Sequence, residues 1–172
     1  MVLTSSIAAV YDACLPIPPE NNDSKSFNEE HWTNADDPLL DPYGRSKTLA
    51  EKAAWEFVKA LEDGKKFELA VINPAVVLGP LISKHMATSH AFIKKLLDRS
   101  APAIAKINVC FTDVRDVAKA HVQALTTAEA AGHRHLIVTK NLWLKDIAQI
   151  LKKEFQPKGN FFLITTIQCN CI

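Results

Sequence analysis

Residues 69–80 read LAVINPAVVLGP, an apolar run with no polar–apolar alternation. A strand with one wet face alternates, whereas a strand covered on both faces does not. The run therefore predicts a strand over 69–78 inside a sheet with helices on its faces, the arrangement of an α/β protein. A second apolar run, MVLTSSIAAV at residues 1–10, carries hydroxyls in its middle and predicts a strand over 2–10. Between them, DPYGRSKTLAEKAAWEFVKAL predicts a helix over 42–61. Asp41 supplies a cap and Pro42 a first-turn proline, and Asp63-Gly64 closes the element. Ala50, Ala53, Ala54, Phe57, Val58 and Leu61 recur at helical spacing and mark its packing face. Strand, helix and strand in this order predict a parallel pair.

Tyr43 and Lys47 lie four residues apart on that helix and share a face, so phenol and ammonium point into one site. A phenol in water titrates near pH 10 and exchanges protons reluctantly at neutrality. A neighbouring ammonium favours its charged form, which suits it to acid–base work.

The loop between residues 11 and 42 is long for a connection inside a compact domain, and loops of that length are usually functional or disordered. Pro16, Pro18, Pro19, Asn21, Asn22, Asp36, Asp37 and Pro38 fill it with turn formers, and Trp32 reads as its anchor. Downstream, a short helix is expected over 89–97. A strand then leads through NVCFTDVRDVAKAH, residues 108–121, into another helix. Asp113 or Asp116 falls in its first turn, where the helix dipole favours an anion. A strand over 135–139 and an amphipathic helix over 142–155 follow, with Leu144, Ile147, Ala148 and Leu151 inside. His121 reads as a packed structural residue. His133 and His135 flank Arg134 without a third ligand at zinc spacing, so they read as strand residues and no metal site is expected.

With 172 residues, 48% of them hydrophobic, the chain is long enough for a core, and its net charge of +1 implies neither a nucleic acid nor a membrane surface as partner. No apolar run reaches the length of a membrane span, and no basic segment precedes the first apolar run as in a signal peptide. Cys14, Cys110, Cys169 and Cys171 have no disulfide-framework or zinc spacing, so reduced thiols and a cytoplasmic location are expected.

The combination of a hydroxyl-tipped strand, long loop, Tyr-x-x-x-Lys helix and Asn-Pro-Ala-Val-Val-Leu-Gly-Pro strand resembles the extended short-chain dehydrogenase/reductase family, of the NAD-dependent epimerase/dehydratase type. Within it the chain is most similar to the dihydroflavonol reductase, cinnamoyl-CoA reductase and 3β-hydroxysteroid dehydrogenase group. The segment VRDVAKAH, ending at His121, and the acidic-aromatic stretch FNEEHW at 27–32 carry the likeness further. The resemblance runs from about Val2 to about Gly159. It implies part of a Rossmann-like, doubly wound parallel sheet with a small C-terminal substrate lobe over residues 1–159.

The family opens with a Gly-rich turn that binds the dinucleotide pyrophosphate. Glycines at 44, 64, 79, 132 and 159 form no such motif. The resemblance therefore implies the C-terminal part of such an enzyme, with roughly a hundred residues of nucleotide-binding half expected before Met1. Residues 160–172 depart from the family as an uncharged tail rich in β-branched and aromatic residues.

Carried over residue by residue, the resemblance makes Tyr43 the general acid toward a carbonyl oxygen. Lys47 becomes its partner and a ligand of the nicotinamide ribose. Ser6, rather than Ser5, becomes the hydroxyl that holds the substrate oxygen. Thr4 and Ser5 would line the cofactor through their backbone, with Pro74, Val77 and Ser89 as further cofactor positions. Tyr11 falls where the family sets substrate preference. The implied cofactor is NADP or NAD, the implied substrate a small or medium hydrophobic ketone or alcohol, and the implied assembly a homodimer. Epimerisation or dehydration of sugar nucleotides, hydroxysteroid oxidation, and a catalytically inactive or binding protein are the alternative readings.

Overall fold

The computed structural model describes residues 1–11, 26–84, 86–98, 100, 104–105, 107–158 and 166–167. The Pro-rich part of the long loop and nearly all of the 160–172 tail lie outside the described residues. The chain divides into two units, Met1–Ala75 with Val114–Val138, and Val76–Asp113 with Thr139–Ile172.

In the first unit, strands β1 (Val2–Thr4), β2 (Ala70–Pro74) and β6 (Arg134–Ile137) form a parallel sheet in the order β1-β2-β6. Val2 aligns with Ala70, and Val71 with Arg134. The chain passes from β1 to β2 through helix α1 (Pro42–Ala60), and helix α3 (Val114–Thr126) precedes β6 and packs on all three strands. Every residue of β2 is buried, as its unbroken apolar sequence requires.

The first strand is shorter than its apolar sequence predicts. Ser6 turns its hydroxyl onto the backbone N–H of Ala8 and N-caps a 3₁₀ turn at Ile7–Ala9. A hydroxyl that offers the backbone a local partner ends the ladder, and Ile7, Ala8 and Ala9 spend their apolar character on that turn. The expected strand over 69–78 is likewise two strands. Pro74 has no N–H to continue the ladder. Ala75 still donates to Ile137 O, and β3 (Val76–Leu78) then pairs with a different sheet.

Helix α1 begins and ends where expected, but its packing face is not the predicted one. Asp41 accepts from the N–H groups of Tyr43 and Gly44, and Pro42 occupies the first turn. The buried residues are Gly44, Thr48 and Glu51, whereas Phe57 is 60% exposed and Ala50 and Ala53 are exposed. A polar interaction decides the orientation. Glu51, 1% exposed, pairs with Arg134 of β6, Nε to Oε1 at 2.6 Å. Asn73 of β2 donates to its Oε2 at 2.7 Å. Arg134 spends its remaining donors on the backbone carbonyls of Ala9, Glu29 and His31, and its guanidinium lies 3.7 Å from the Trp32 ring centroid. Trp32 thus anchors the loop by stacking on a buried cation.

In the second unit, β3, β5 (Asn108–Asp113) and β7 (Lys140–Trp143) form a mixed sheet, with β5 parallel to β3 and antiparallel to β7. Leu142, expected in the last helix, instead pairs with Val109 in the sheet. Helix α4 (Leu144–Phe155) supplies Leu144, Ile147 and Ala148 to a core completed by Ile104 and Phe111. Helix α2 (Thr88–Leu97) adds Phe92, Ile93 and Leu96 to its margin. A short pair, β4 (Ile104–Ala105) with β8 (Thr166–Ile167), completes the described strands.

Removing one partner of a buried ion pair strands the other charge and costs about 3–5 kcal/mol. Arg134→Ala is expected to lower the unfolding free energy by about that amount, read from urea unfolding. Replacing both partners with apolar residues, Glu51→Leu with Arg134→Met, should recover much of the loss. A single-mutant loss below about 1 kcal/mol would show the pair to be dispensable.

Candidate active site

Tyr43 is the second residue of α1, and the Asp41 cap fixes the helix start on which its ring is mounted. Its hydroxyl points at Ser6 Oγ from 3.5 Å, longer than the roughly 2.5–3.0 Å of a well-formed O–H···O hydrogen bond. The phenol is 56% exposed, so a reactant has access to it. Lys47 sits one turn further along, its ammonium 5.9 Å from the Tyr43 ring centroid. Among the described residues Lys47 makes no ion pair, which leaves its charge available to a ligand. The fold thus brings Ser6 of the first segment to Tyr43, with Lys47 one turn along the same helix.

Ser5 and Ser6 are both buried but do different things. Ser6 Oγ faces Tyr43, while Ser5 donates its N–H to Ile72 O, and its hydroxyl has no hydrogen-bond partner among the described residues. Thr4, in register with Ile72, points its hydroxyl at His121 Nε2 at 2.7 Å. The other ring nitrogen of His121 lies 2.8 Å from Val117 O. A carbonyl only accepts, so Nδ1 carries a proton, and Nε2 shares a hydrogen bond with the Thr4 hydroxyl. His121 is thereby a tie between α3 and β1.

Tyr11 stacks on Phe27 at 4.2 Å between ring centroids, and Phe27 meets His31 edge-on. Thr33 closes this stretch onto the 3₁₀ turn through bonds to Ala8 O and Ala9 O. Pro74 is buried at the end of β2. Val77 and Ser89 belong to the second unit, where Val77 pairs with Thr112 in the sheet and Ser89 is half-buried in the first turn of α2.

The sequence reading missed Glu51, Asn73 and Arg134. Glu51 follows Lys47 by four residues and Tyr43 by eight, so their shared helix face could have been read from spacing. Asn73 interrupts an otherwise apolar buried strand, and such a residue needs partners. Nothing local in the sequence marks Arg134, whose partners lie far away along the chain.

The chain belongs to the NAD dependent epimerase/dehydratase family, which residues 1–138 match. It is 39% identical over 173 residues to the NADPH-dependent methylglyoxal reductase Gre2 of Saccharomyces cerevisiae, an alignment covering 93% of this chain and 49% of that protein. It is 37% identical over 155 residues to the cinnamoyl-CoA reductase CAD2 of Medicago truncatula, covering 89% of this chain and 44% of the relative. The crystal structure of yeast methylglyoxal/isovaleraldehyde reductase Gre2 complexed with NADPH superposes with a TM-score of 0.77 at 36% identity. That match covers 96% of this chain and 51% of the other. The chain thus spans about half the length of the relatives it matches, and it shares the Rossmann-like α/β fold of these reductases.

Proposed function

We propose that this chain carries the proton-transfer site of an NAD(P)H-dependent oxidoreductase that interconverts a carbonyl and a secondary alcohol on a small or medium hydrophobic substrate. The observation that carries the reading is the approach of Tyr43 Oη to Ser6 Oγ at 3.5 Å, with the Lys47 ammonium one helical turn away. The names of the relatives, a methylglyoxal reductase and a cinnamoyl-CoA reductase, support the same chemistry.

Reduction adds a hydride to the carbonyl carbon and a proton to its oxygen, and this chain's residues serve the oxygen. Ser6 Oγ–H donates a hydrogen bond to the substrate oxygen and draws charge toward it as the π pair moves there. Tyr43 Oη–H donates its proton to the same oxygen, leaving a phenolate that the Lys47 ammonium stabilises. In the oxidative direction Tyr43 takes that proton back.

The reduced nicotinamide of NADP or NAD supplies the hydride when bound. Lys47, with no ion pair among the described residues, fits the ribose hydroxyls. The backbone of Thr4 and Ser5, with Pro74, Val77 and Ser89, are the further cofactor positions in this proposal. The yeast relative's name favours NADPH. Tyr11, stacked on Phe27, is the proposed substrate-preference residue. A cytoplasmic place of work belongs to the same proposal and accords with the free thiol of Cys110, which burial pushes above its ordinary pKa and away from ready oxidation.

In the full-length protein, Tyr43→Phe keeps the ring but removes the proton and should lower turnover about 10²–10⁴-fold with cofactor affinity little changed. Lys47→Ala should weaken cofactor binding as well as turnover, and substituting Ser5 should cost far less than substituting Ser6. Steady-state reduction of a panel of ketones with NADPH and NADH reads all four variants. Near-parental turnover by Tyr43→Phe would refute the mechanism.

A homodimer is also proposed, through the exposed stripe of Leu49, Ala53 and Phe57 along α1. Leu49→Lys combined with Phe57→Lys should then halve the mass measured by sedimentation equilibrium. A parental protein that sediments as a monomer would rule the dimer out.

A further inference from the structure

We infer that Asn73, oriented by Glu51, is a positioning residue for Ser6: its side-chain amide holds the Ser6 backbone so that the serine hydroxyl stays within reach of Tyr43. The inference rests on the reductase reading above and deepens it.

Asn73 is completely buried in β2. Its Nδ2 lies 3.1 Å from Ser6 O and 2.7 Å from Glu51 Oε2. Both neighbours are acceptors, so the amide nitrogen must face them and the side chain has one allowed orientation. Glu51 is itself immobilised. Its two oxygens receive Arg134 Nε and Nη2, Asn73 Nδ2 and, at 3.5 Å, Trp55 Nε1. A buried carboxylate saturated in this way is a rigid template for the amide it accepts from.

The Ser6 carbonyl takes a second bond from Ala9 N at 3.0 Å, which closes the 3₁₀ turn. Ser6 is thus gripped from the sheet side by Asn73 and from the turn side by Ala9. A serine hydroxyl is one rotatable bond from its backbone, so whatever fixes the backbone aims the oxygen. The Ser6–Tyr43 contact is already long at 3.5 Å, and a modest drift of the turn would open it further.

Glu51 also stands on the helix that carries Tyr43 and Lys47, two turns and one turn back. One carboxylate therefore references the phenol, through α1, and the serine, through Asn73, to the same point. This explains why a polar side chain interrupts the most deeply buried strand of the unit. An apolar residue at 73 would remove the link between the two reacting hydroxyls while leaving the sheet ladder intact.

The test is a double-mutant cycle on kcat in the full-length protein, with saturating NADPH and the best ketone of the panel: Ser6→Ala, Asn73→Ala and both together. If Asn73 acts through Ser6, Asn73→Ala lowers kcat about tenfold or more when Ser6 is present, the scale of a misplaced reacting group. In the Ser6→Ala background it lowers kcat by less than about twofold, as expected of residues that work as a unit. KM for the ketone stays near the parental value in Asn73→Ala.

Equal losses in the two backgrounds, or no loss in either, would overturn the positioning role while a costly Ser6→Ala left the reductase reading standing. A silent Ser6→Ala would overturn both. Should Asn73→Ala fail to fold, Glu51→Gln, which conserves volume, goes through the same cycle and must show the same dependence on the Ser6 hydroxyl.

Discussion

The first unit is organised around one buried ion pair. Glu51 comes from the helix, Arg134 from the last strand of its sheet, and Asn73 from the strand between. Arg134 extends the pair to the carbonyls of Ala9, Glu29 and His31, and Trp32 lies against its guanidinium. Helix, sheet, 3₁₀ turn and loop are referenced to a single charged cluster. Such clusters are weak sources of stability because desolvation offsets most of their attraction. Their value lies in specifying one arrangement, since an apolar contact tolerates a rotated helix and a forked guanidinium does not. With Glu51 facing inward, helical geometry brings Lys47 and Tyr43 to the same side.

The outline of the fold was legible because its elements carry local signals. The apolar run at 69–78 announced a covered strand, Asp41-Pro42 announced the helix start, and Leu144, Ile147 and Ala148 announced the face of the last helix. The failures share a cause. Ile7-Ala8-Ala9 reads as strand by composition, yet the hydroxyl of Ser6 diverts the backbone into a turn. Pro74 lies within an apolar run, but its missing N–H marks where the chain changes sheets. Ala50, Ala53 and Phe57 look like a core stripe, yet the ion pair turns Glu51 inward and leaves much of that stripe exposed. In each case a single polar or imino group overrode the apolar pattern around it.

The candidate site divides in the same way. Ser6, Tyr43 and Lys47 were readable as a pattern spread over two segments, and the fold brings the serine to the tyrosine. Glu51 and Asn73 were half-readable, one from its spacing to Lys47 and the other as a polar residue in a buried strand. Arg134 was not, because its meaning comes from contacts more than a hundred residues away in sequence, to Ala9, Glu29 and His31. Membership of the NAD dependent epimerase/dehydratase family supplies the chemical context for these groups. The physical account of why they meet comes from the polar cluster behind them.

The proposed convergence of Ser6 and Tyr43 on one substrate oxygen is open to a crystal structure of the full-length protein with oxidised cofactor and an alcohol product. The alcohol oxygen is expected within about 2.6–3.2 Å of both Ser6 Oγ and Tyr43 Oη, with the Lys47 ammonium on the nicotinamide ribose. An alcohol oxygen bound away from Tyr43, with the phenol turned to solvent, would contradict it.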